Sequence, residues 1–267
     1  MAEDEKNGIV YDSGKRIRRK EKTGQAAETW KRLKKNKIAY LSLYILIFLA
    51  LVAIFAGSIA PYTFSEQNLA NIFQKPSWKH LFGTDQYGRD IFSRVLYGTR
   101  ISLSVGFIAV GVALAVGGIL GSISGFYGKR IDNVIMRCMD ILLSIPSVLL
   151  ALAIVATFGT SAVNLMIATG ISTVPSYARL VRAEIMSIKE QEFVEAARAI
   201  GTSDIEIIIK HILPNCLAPI LVQATFGIAT AILTVAGLSF VGLGLQPPIS
   251  EWGSMLSDAR TYIRVYP

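Results

Sequence analysis

Four stretches of this chain contain no Asp, Glu, Lys or Arg: residues 38–65, 101–128, 141–178 and 212–250. A bilayer core takes about 20 apolar residues per helix, so each stretch is long enough to cross a membrane. Charged residues make up only 17% of the chain and hydrophobic ones 52%, with mean hydropathy +0.47. An average soluble domain carries about 25% charged residues. A soluble globular domain and a disordered chain are both excluded. The 141–178 stretch is too long for one span and breaks at Phe158-Gly159-Thr160, a tight turn between two helices. The last stretch reads as one span with a Gly/Pro-rich exit, Gly242 to Pro248. The expected fold is an all-α polytopic membrane protein with five transmembrane helices, at about 38–60, 101–127, 139–158, 162–182 and 215–240.

Charge placement sets the orientation. Residues 1–37 hold 12 Lys/Arg and 6 Asp/Glu, which is +6 of the formal +8. This basic tail abuts the first span and is expected to stay in the cytoplasm. Residues 128–140 and the loop 183–214 then also face the cytoplasm, while the loop 61–100 and the segment 241–267 lie outside. Trp30 and the Lys/Arg after it suit a short interfacial helix; a solvated basic tail is the plainer alternative. The basic excess sits beside an apolar run, so it points to a membrane and not to nucleic acid. The first span follows a 37-residue tail without a cleavage pattern, unlike a signal peptide.

Several chemistries find no residues to carry them. Cys138 and Cys216 fall near cytoplasmic helix ends and imply no disulfide. His80 and His211 lie on opposite sides of the membrane in this topology, too few and too far apart for a zinc site. No acidic residue falls in the interior of a span, Asp140 standing at the very start of the third, and Arg179 lies near a cytoplasmic end where it can snorkel, so a proton- or sodium-coupled secondary transporter lacks its coupling group. No catalytic constellation is visible. Gly125-Phe-Tyr-Gly128-Lys129-Arg130 lacks the Gly-x4-Gly-Lys-Ser/Thr spacing that cradles phosphates. Any energy source therefore lies on another polypeptide.

Ala109, Ala113, Gly117, Gly121 and Gly125 recur every four residues and form a smooth ridge, suited to close helix packing or to lining a pore. Pro146, Pro175 and Pro219 fall in or near spans, where they kink helices. Between the fourth and fifth spans, Ser187-Ile-Lys-Glu190 and Ser203-Asp-Ile-Glu206 both have capping-box spacing. They are expected to open two short helices separated at Gly201, a helix terminator. Ile205, Ile208, Ile209 and Ile212 follow at helical spacing. Such an elbow, apolar on one side, fits a groove in a partner protein; lying on lipid is the alternative.

Glu195-Ala196-Ala197-x3-Gly201 followed by Leu213-Pro214 resembles the EAA loop of bacterial ABC importer permeases, with His211 where the general pattern has Ile. Phe82-Gly-Thr-Asp-Gln-Tyr-Gly-Arg-Asp90, with Ser93-Arg94 and Tyr97 to Leu103, resembles the first external loop of the dipeptide/oligopeptide branch. Gly237 to Pro248 with Trp252-Gly253 resembles its last loop, and Trp30 to Lys37 its tail. The four ordered matches cover nearly the whole chain, which is similar to the C-type permease subunits of dipeptide, oligopeptide and nickel transport.

That resemblance implies the type I ABC importer permease fold, with the EAA loop as a cytoplasmic coupling helix. It implies a membrane-spanning permease of an ATP-driven importer for dipeptides or oligopeptides; nickel or another small solute is the alternative. The implied partners are a second homologous permease, two cytoplasmic ABC ATPase subunits, an extracytoplasmic solute-binding protein, the peptide and the lipid bilayer. The chain itself is no enzyme and holds no cofactor, ATP and magnesium being bound by the ATPase subunits. Glu195, Ala196, Ala197, Gly201, Leu213 and Pro214 carry the ATPase coupling. Asp85, Arg89 and Asp90 have two readings, a turn held by an ion pair, or a direct role in docking the binding protein or lining the external gate. The implied location is the bacterial cell membrane, multi-pass, with the N-terminus inside. Family members have a sixth helix, so a chain ending at Pro267 after five spans is expected to be truncated.

Overall fold

The computed structural model describes residues 9–12, 15–18 and 33–266. The chain divides into two compact units at Leu51. In the first, β1 (Ile9–Asp12) and β2 (Lys15–Arg18) pair antiparallel, with Ile9 opposite Arg18 and Asp12 opposite Lys15. This hairpin in the basic tail was not expected from its charge. The interfacial helix expected around Trp30 lies outside the described residues. α1 (Lys37–Ile59) forms where expected. Asn36 Oδ1 accepts the N–H groups of Ile38 and Ala39, an N-cap that satisfies two of the first four free donors. Leu41 and Phe48 stand exposed along it, as an apolar helix in lipid requires.

The second unit holds the remaining helices. α2 (Ile91–Tyr127) begins ten residues before the expected position, because Asp90 caps it through the Ser93 N–H. Residues 91–100, expected in an external loop, are therefore its first turns. The helix expected over 139–158 is two helices, α3 (Lys129–Leu143) and α4 (Ser147–Phe158), bent by 82° at Ser144–Pro146. Pro146 has no N–H to continue α3, and the Ser144 N–H closes that helix on the carbonyls of Asp140 and Ile141. The turn at Gly159 is as expected, and Ser161 caps α5 (Ala162–Ile188) through the Asn164 N–H.

α5 runs six residues past 182. Val181, Ile185 and Ile188 keep their helical spacing against the core, so Ser187 sits in its last turn and opens no helix. That capping box is absent; Gln191 precedes α6 (Glu192–Ala199) without a side-chain cap. Ser203 stands at the next helix start, over Asp204–Glu206, but its side chain makes no capping bond either. Residues Ile207–Ile212 form a π-helical turn that leads into α7 (Leu213–Phe240). α8 (Trp252–Arg260) lies in the expected external C-terminal segment and is capped by Glu251, which accepts the Gly253 and Ser254 N–H groups.

By length and apolarity α1, α2 and the helical stretch Asp204–Phe240 can each cross a membrane, and α3 with α4 makes a fourth span if the bent pair is one. α5 has 27 residues but carries Asn164, Arg179, Arg182 and Glu184. None of these four is among its 13 buried residues. The ridge expected on α2 is the surface they pack on. Ala109, Ala113, Gly117, Gly121 and Gly125 are all buried. A Cβ at Gly121 would collide with the Ala178 carbonyl oxygen, and one on Gly170 of α5 would stand 2.8 Å from that of Ala109. The two helices meet backbone to backbone, which is the packing reading of the ridge.

Gly121→Val forces these backbones apart, and overpacking of this kind costs about 1–3 kcal/mol. Gly118→Ala on the same helix enters open space, with nothing within 4 Å. Thermal denaturation of the purified protein in detergent should show a lowered midpoint for Gly121→Val alone; equal behaviour of the two variants would contradict the contact.

Candidate functional site

The segment that resembles an EAA loop is built on α6. Its inward face is Val194 and Ala197, both buried in a cluster with Phe126, Ile185, Ile207 and Ile212. Glu195 and Ala196 face outward. Ala197 therefore fills the chain's own core, and of the two alanines only Ala196 is offered to a partner. α6 ends in a Schellman motif: the Gly201 N–H donates to the Arg198 carbonyl (3.0 Å) and the Thr202 N–H to the Ala197 carbonyl (3.1 Å). Gly201 has φ +85°, a left-handed conformation that costs a residue with a Cβ about 1–2 kcal/mol. The expected terminator is thus in place.

The π-helical turn divides the isoleucines expected on one face. Its wider turn puts Ile207, Ile208 and Ile212 inside and leaves Ile205 and Ile209 exposed. Ile200, which is 83% exposed, is a third isoleucine on the outer surface of the elbow, which also carries the exposed Glu195. Leu213 packs against the same inner cluster, while Pro214 is exposed in the first turn of α7. His211 contributes its carbonyl to the Asn215 amide at 2.6 Å.

Three contacts in and beside the elbow were not found from the sequence. Lys189 Nζ donates to the Gly125 carbonyl at 2.9 Å, and the Arg198 guanidinium lies 5.1 Å over the Phe126 ring. Both tie the elbow to the end of α2. Asp132 on α3 takes a two-pronged contact from Arg182 on α5, at 2.5 and 2.6 Å, and accepts the Ser124 hydroxyl. Its partner is 50 residues away in sequence, and no local spacing reveals it.

The structure brings Asp85, Arg89 and Asp90 into one turn. Asp85 accepts the backbone N–H groups of Tyr87 and Arg89, then Arg89 Nε at 2.7 Å and Arg94 Nη1 at 3.3 Å. Asp90 shares its carboxylate between the α2 cap and His80 Nδ1, 2.9 Å away. Arg89 is only 1% exposed. These contacts hold the turn as an ion-paired unit. The Ser250 hydroxyl donates to the Arg94 carbonyl and Trp252 Nε1 to that of Val95, so the two loops singled out by resemblance meet here.

Residues 117–265 match the family of binding-protein-dependent transport system inner membrane components, and residues 24–76 match the N-terminal transmembrane domain of oligopeptide transport permease C. A dipeptide transport system permease protein of Alkalihalophilus pseudofirmus is 52% identical over 240 residues, covering 90% of this chain and 79% of its own. One from Haemophilus influenzae is 42% identical over 243 residues, covering 89% and 82%. A glutathione transport system permease protein of Escherichia coli is 45% identical over 244 residues, covering 90% and 80%. Among solved structures, a chain of an inward-facing methionine ABC transporter has the same fold, with TM-score 0.50 and 16% identity over 64% of this chain and 81% of that one.

The division of α6 into two faces is open to test. Ala197→Leu overfills the core and should lower stability by about 1–3 kcal/mol, whereas Ala196→Leu, on the surface, should stay within about 0.5 kcal/mol. Chemical or thermal denaturation of the purified protein distinguishes them; equal losses would contradict the assignment of faces.

Proposed function

Because the chain belongs to the family of binding-protein-dependent transport system inner membrane components, we propose that it is the permease of an ATP-driven importer for dipeptides and other small peptides. The names of its relatives support that substrate class: two are dipeptide permeases, and a third carries glutathione, itself a small peptide. They favour it over nickel. The chain is a multi-pass membrane subunit with the basic tail and the elbow on the cytoplasmic side, an orientation supported by the Lys/Arg bias of the tail.

The observation that carries the reading is the two-faced elbow. One face is locked into the chain's own core through Val194 and Ala197, and the other presents Ile200, Ile205 and Ile209 beside an exposed carboxylate, Glu195. An apolar surface with a charged edge at the end of a span suits a protein groove. Its occupants are the two ATPase subunits, one of them on this chain and the other on the second permease. ATP and magnesium are bound there, since the sequence holds no phosphate-cradling loop. When the ATPases close, they push on α6. Lys189 and Arg198 transmit the push to the end of α2, and α2 and α5 move together because no side chain cushions them at Gly121. The external receptor delivers the peptide to the opposite face, where the ion-paired turn of Asp85, Arg89 and Asp90 meets the loop of Trp252.

The test uses the complete complex in proteoliposomes. Ala196→Leu and Glu195→Lys should leave membrane insertion and folding of the chain intact and remove about 2 kcal/mol or more of binding at the ATPase contact. Uptake of a radiolabelled dipeptide and receptor-stimulated ATP hydrolysis should fall together, and the isolated chain should hydrolyse no ATP. Full uptake by both variants at normal expression would overturn the coupling role.

A further inference from the structure

With the Gly159 turn placed at the outer membrane surface, as the topology read from the charge bias has it, the break between α3 and α4 falls within the bilayer. The Gly159 turn joins α4 and α5 as antiparallel neighbours, with Val155 packed near Leu165 and Ala151 near Ala168. From that turn the 12 residues of α4 descend about 18 Å. Arg179 lies 17 residues along α5 from Ala162, about 26 Å down by the same rise. The hydrocarbon core is about 30 Å thick. Both the unwound residues and Arg179 therefore lie at membrane depth.

At this level the chain shows lipid-incompatible groups on its surface. Ser144, Ile145 and Pro146 are exposed, and their backbone is outside both helices. Arg179 Nη2 pairs with Asp140 Oδ1 at 2.6 Å, with the two side chains 53% and 48% exposed. Non-helical backbone at membrane depth occurs where it is covered by protein or lines water, and intramembrane charges follow the same rule. The nearby Asp132–Arg182 pair differs: Asp132 is engaged by Arg182 Nε and Nη2 and by Ser124, and is mostly buried. Among the described residues Asp140 and Arg179 have no side-chain partner beyond each other. One carboxylate oxygen and two guanidinium nitrogens remain for a further ligand.

We propose that the Asp140–Arg179 pair beside the broken span lines the water-filled path and reads the charged ends of the passing peptide, Asp140 meeting the ammonium and Arg179 the carboxylate. This rests on the peptide-importer reading. A zwitterion matches a half-exposed opposite-charge pair: each end finds a charge-assisted hydrogen bond, while Asp140 and Arg179 release only one bond between them. Ser144 and the bend give the peptide room beside the pair.

The complete complex, with its partner permease, ATPases and receptor in proteoliposomes, provides the test. Uptake of alanyl-phenylalanine by the unaltered complex checks the importer reading alone; none would count against that reading. Given uptake, Ser144→Cys in a Cys138→Ser background should react with a charged, membrane-impermeant methanethiosulfonate, and Phe48→Cys on α1 should not. Asp140→Arg with Arg179→Asp restores an ion pair but puts each charge where the other stood. The complex should assemble, yet uptake should fall about tenfold, the factor carried by one lost charge-assisted hydrogen bond. Should that swap fail to assemble, Asp140→Asn with Arg179→Gln keeps a neutral hydrogen bond and should show the same loss. An unreactive thiol in the Ser144→Cys variant, or wild-type uptake by whichever paired variant assembles, overturns the proposal and leaves the pair a structural latch or a protein contact.

Discussion

Everything in the second unit hangs on the contact between α2 and α5, where small residues let one backbone touch the other. In lipid the hydrophobic effect does not drive helices together, so close dispersion contact must hold them. Gly121 beneath the Ala178 carbonyl and Gly170 above that of Ala109 lock the two helices together along the ridge of α2. The inner face of α5 is thereby committed. Its outer face, at Arg179 and Arg182, becomes the surface on which α3 is held by ion pairs. The end of α2, at Gly125 and Phe126, becomes the anchor for α6. A wider separation at the ridge would move the broken span and the elbow together.

The parts legible in the sequence are those encoded by short, local rules. A small residue every fourth position marks a helix seam whatever its partner, and Gly201 marks a helix end because only its φ of +85° closes the Schellman motif cheaply. The charge-free runs located α1, most of α2 and the core of α7. The errors come where tertiary burial overrides local signals. Ser187 and Glu190 have capping-box spacing, but Val181, Ile185 and Ile188 continue the apolar face of α5 through that point. The Ile205–Ile212 pattern reads as one α-helical face, and a π-helical turn splits it between core and surface. In the charge-free 141–178 run Pro146 marked a kink, but no local signal showed that it would be a full break with an 82° bend between two helices. Pairs such as Asp132–Arg182 and Asp140–Arg179 join residues 50 and 39 positions apart, beyond any periodicity.

The placement of charge follows function as well as cost. Charges at the ends of the bundle are spent on structure: Asp85 engages two arginines, Asp90 caps a helix and holds His80, and Asp132 grips Arg182. Two charged groups on the described surface are placed where the proposed function would use them. One is Glu195, exposed on the elbow beside an apolar patch; the other is the Asp140–Arg179 pair at the broken span. The first suits a protein partner outside the membrane, and the second a charged solute within it. An ATP-driven permease needs both, joined by a stiff seam that carries motion from one to the other.

In the proposed mechanism, seating of α6 in a groove of an ATPase subunit is the step on which the coupling depends, and proximity at Ile200 tests it most directly. This residue stands out from the elbow beside Gly201 and contributes nothing to the core. With Ile200→Cys carrying a photoactivated cross-linker in the assembled complex, irradiation should join the chain to an ATPase subunit, with a yield that changes when ATP is bound. A cross-link to lipid alone, unchanged by ATP, would contradict the account.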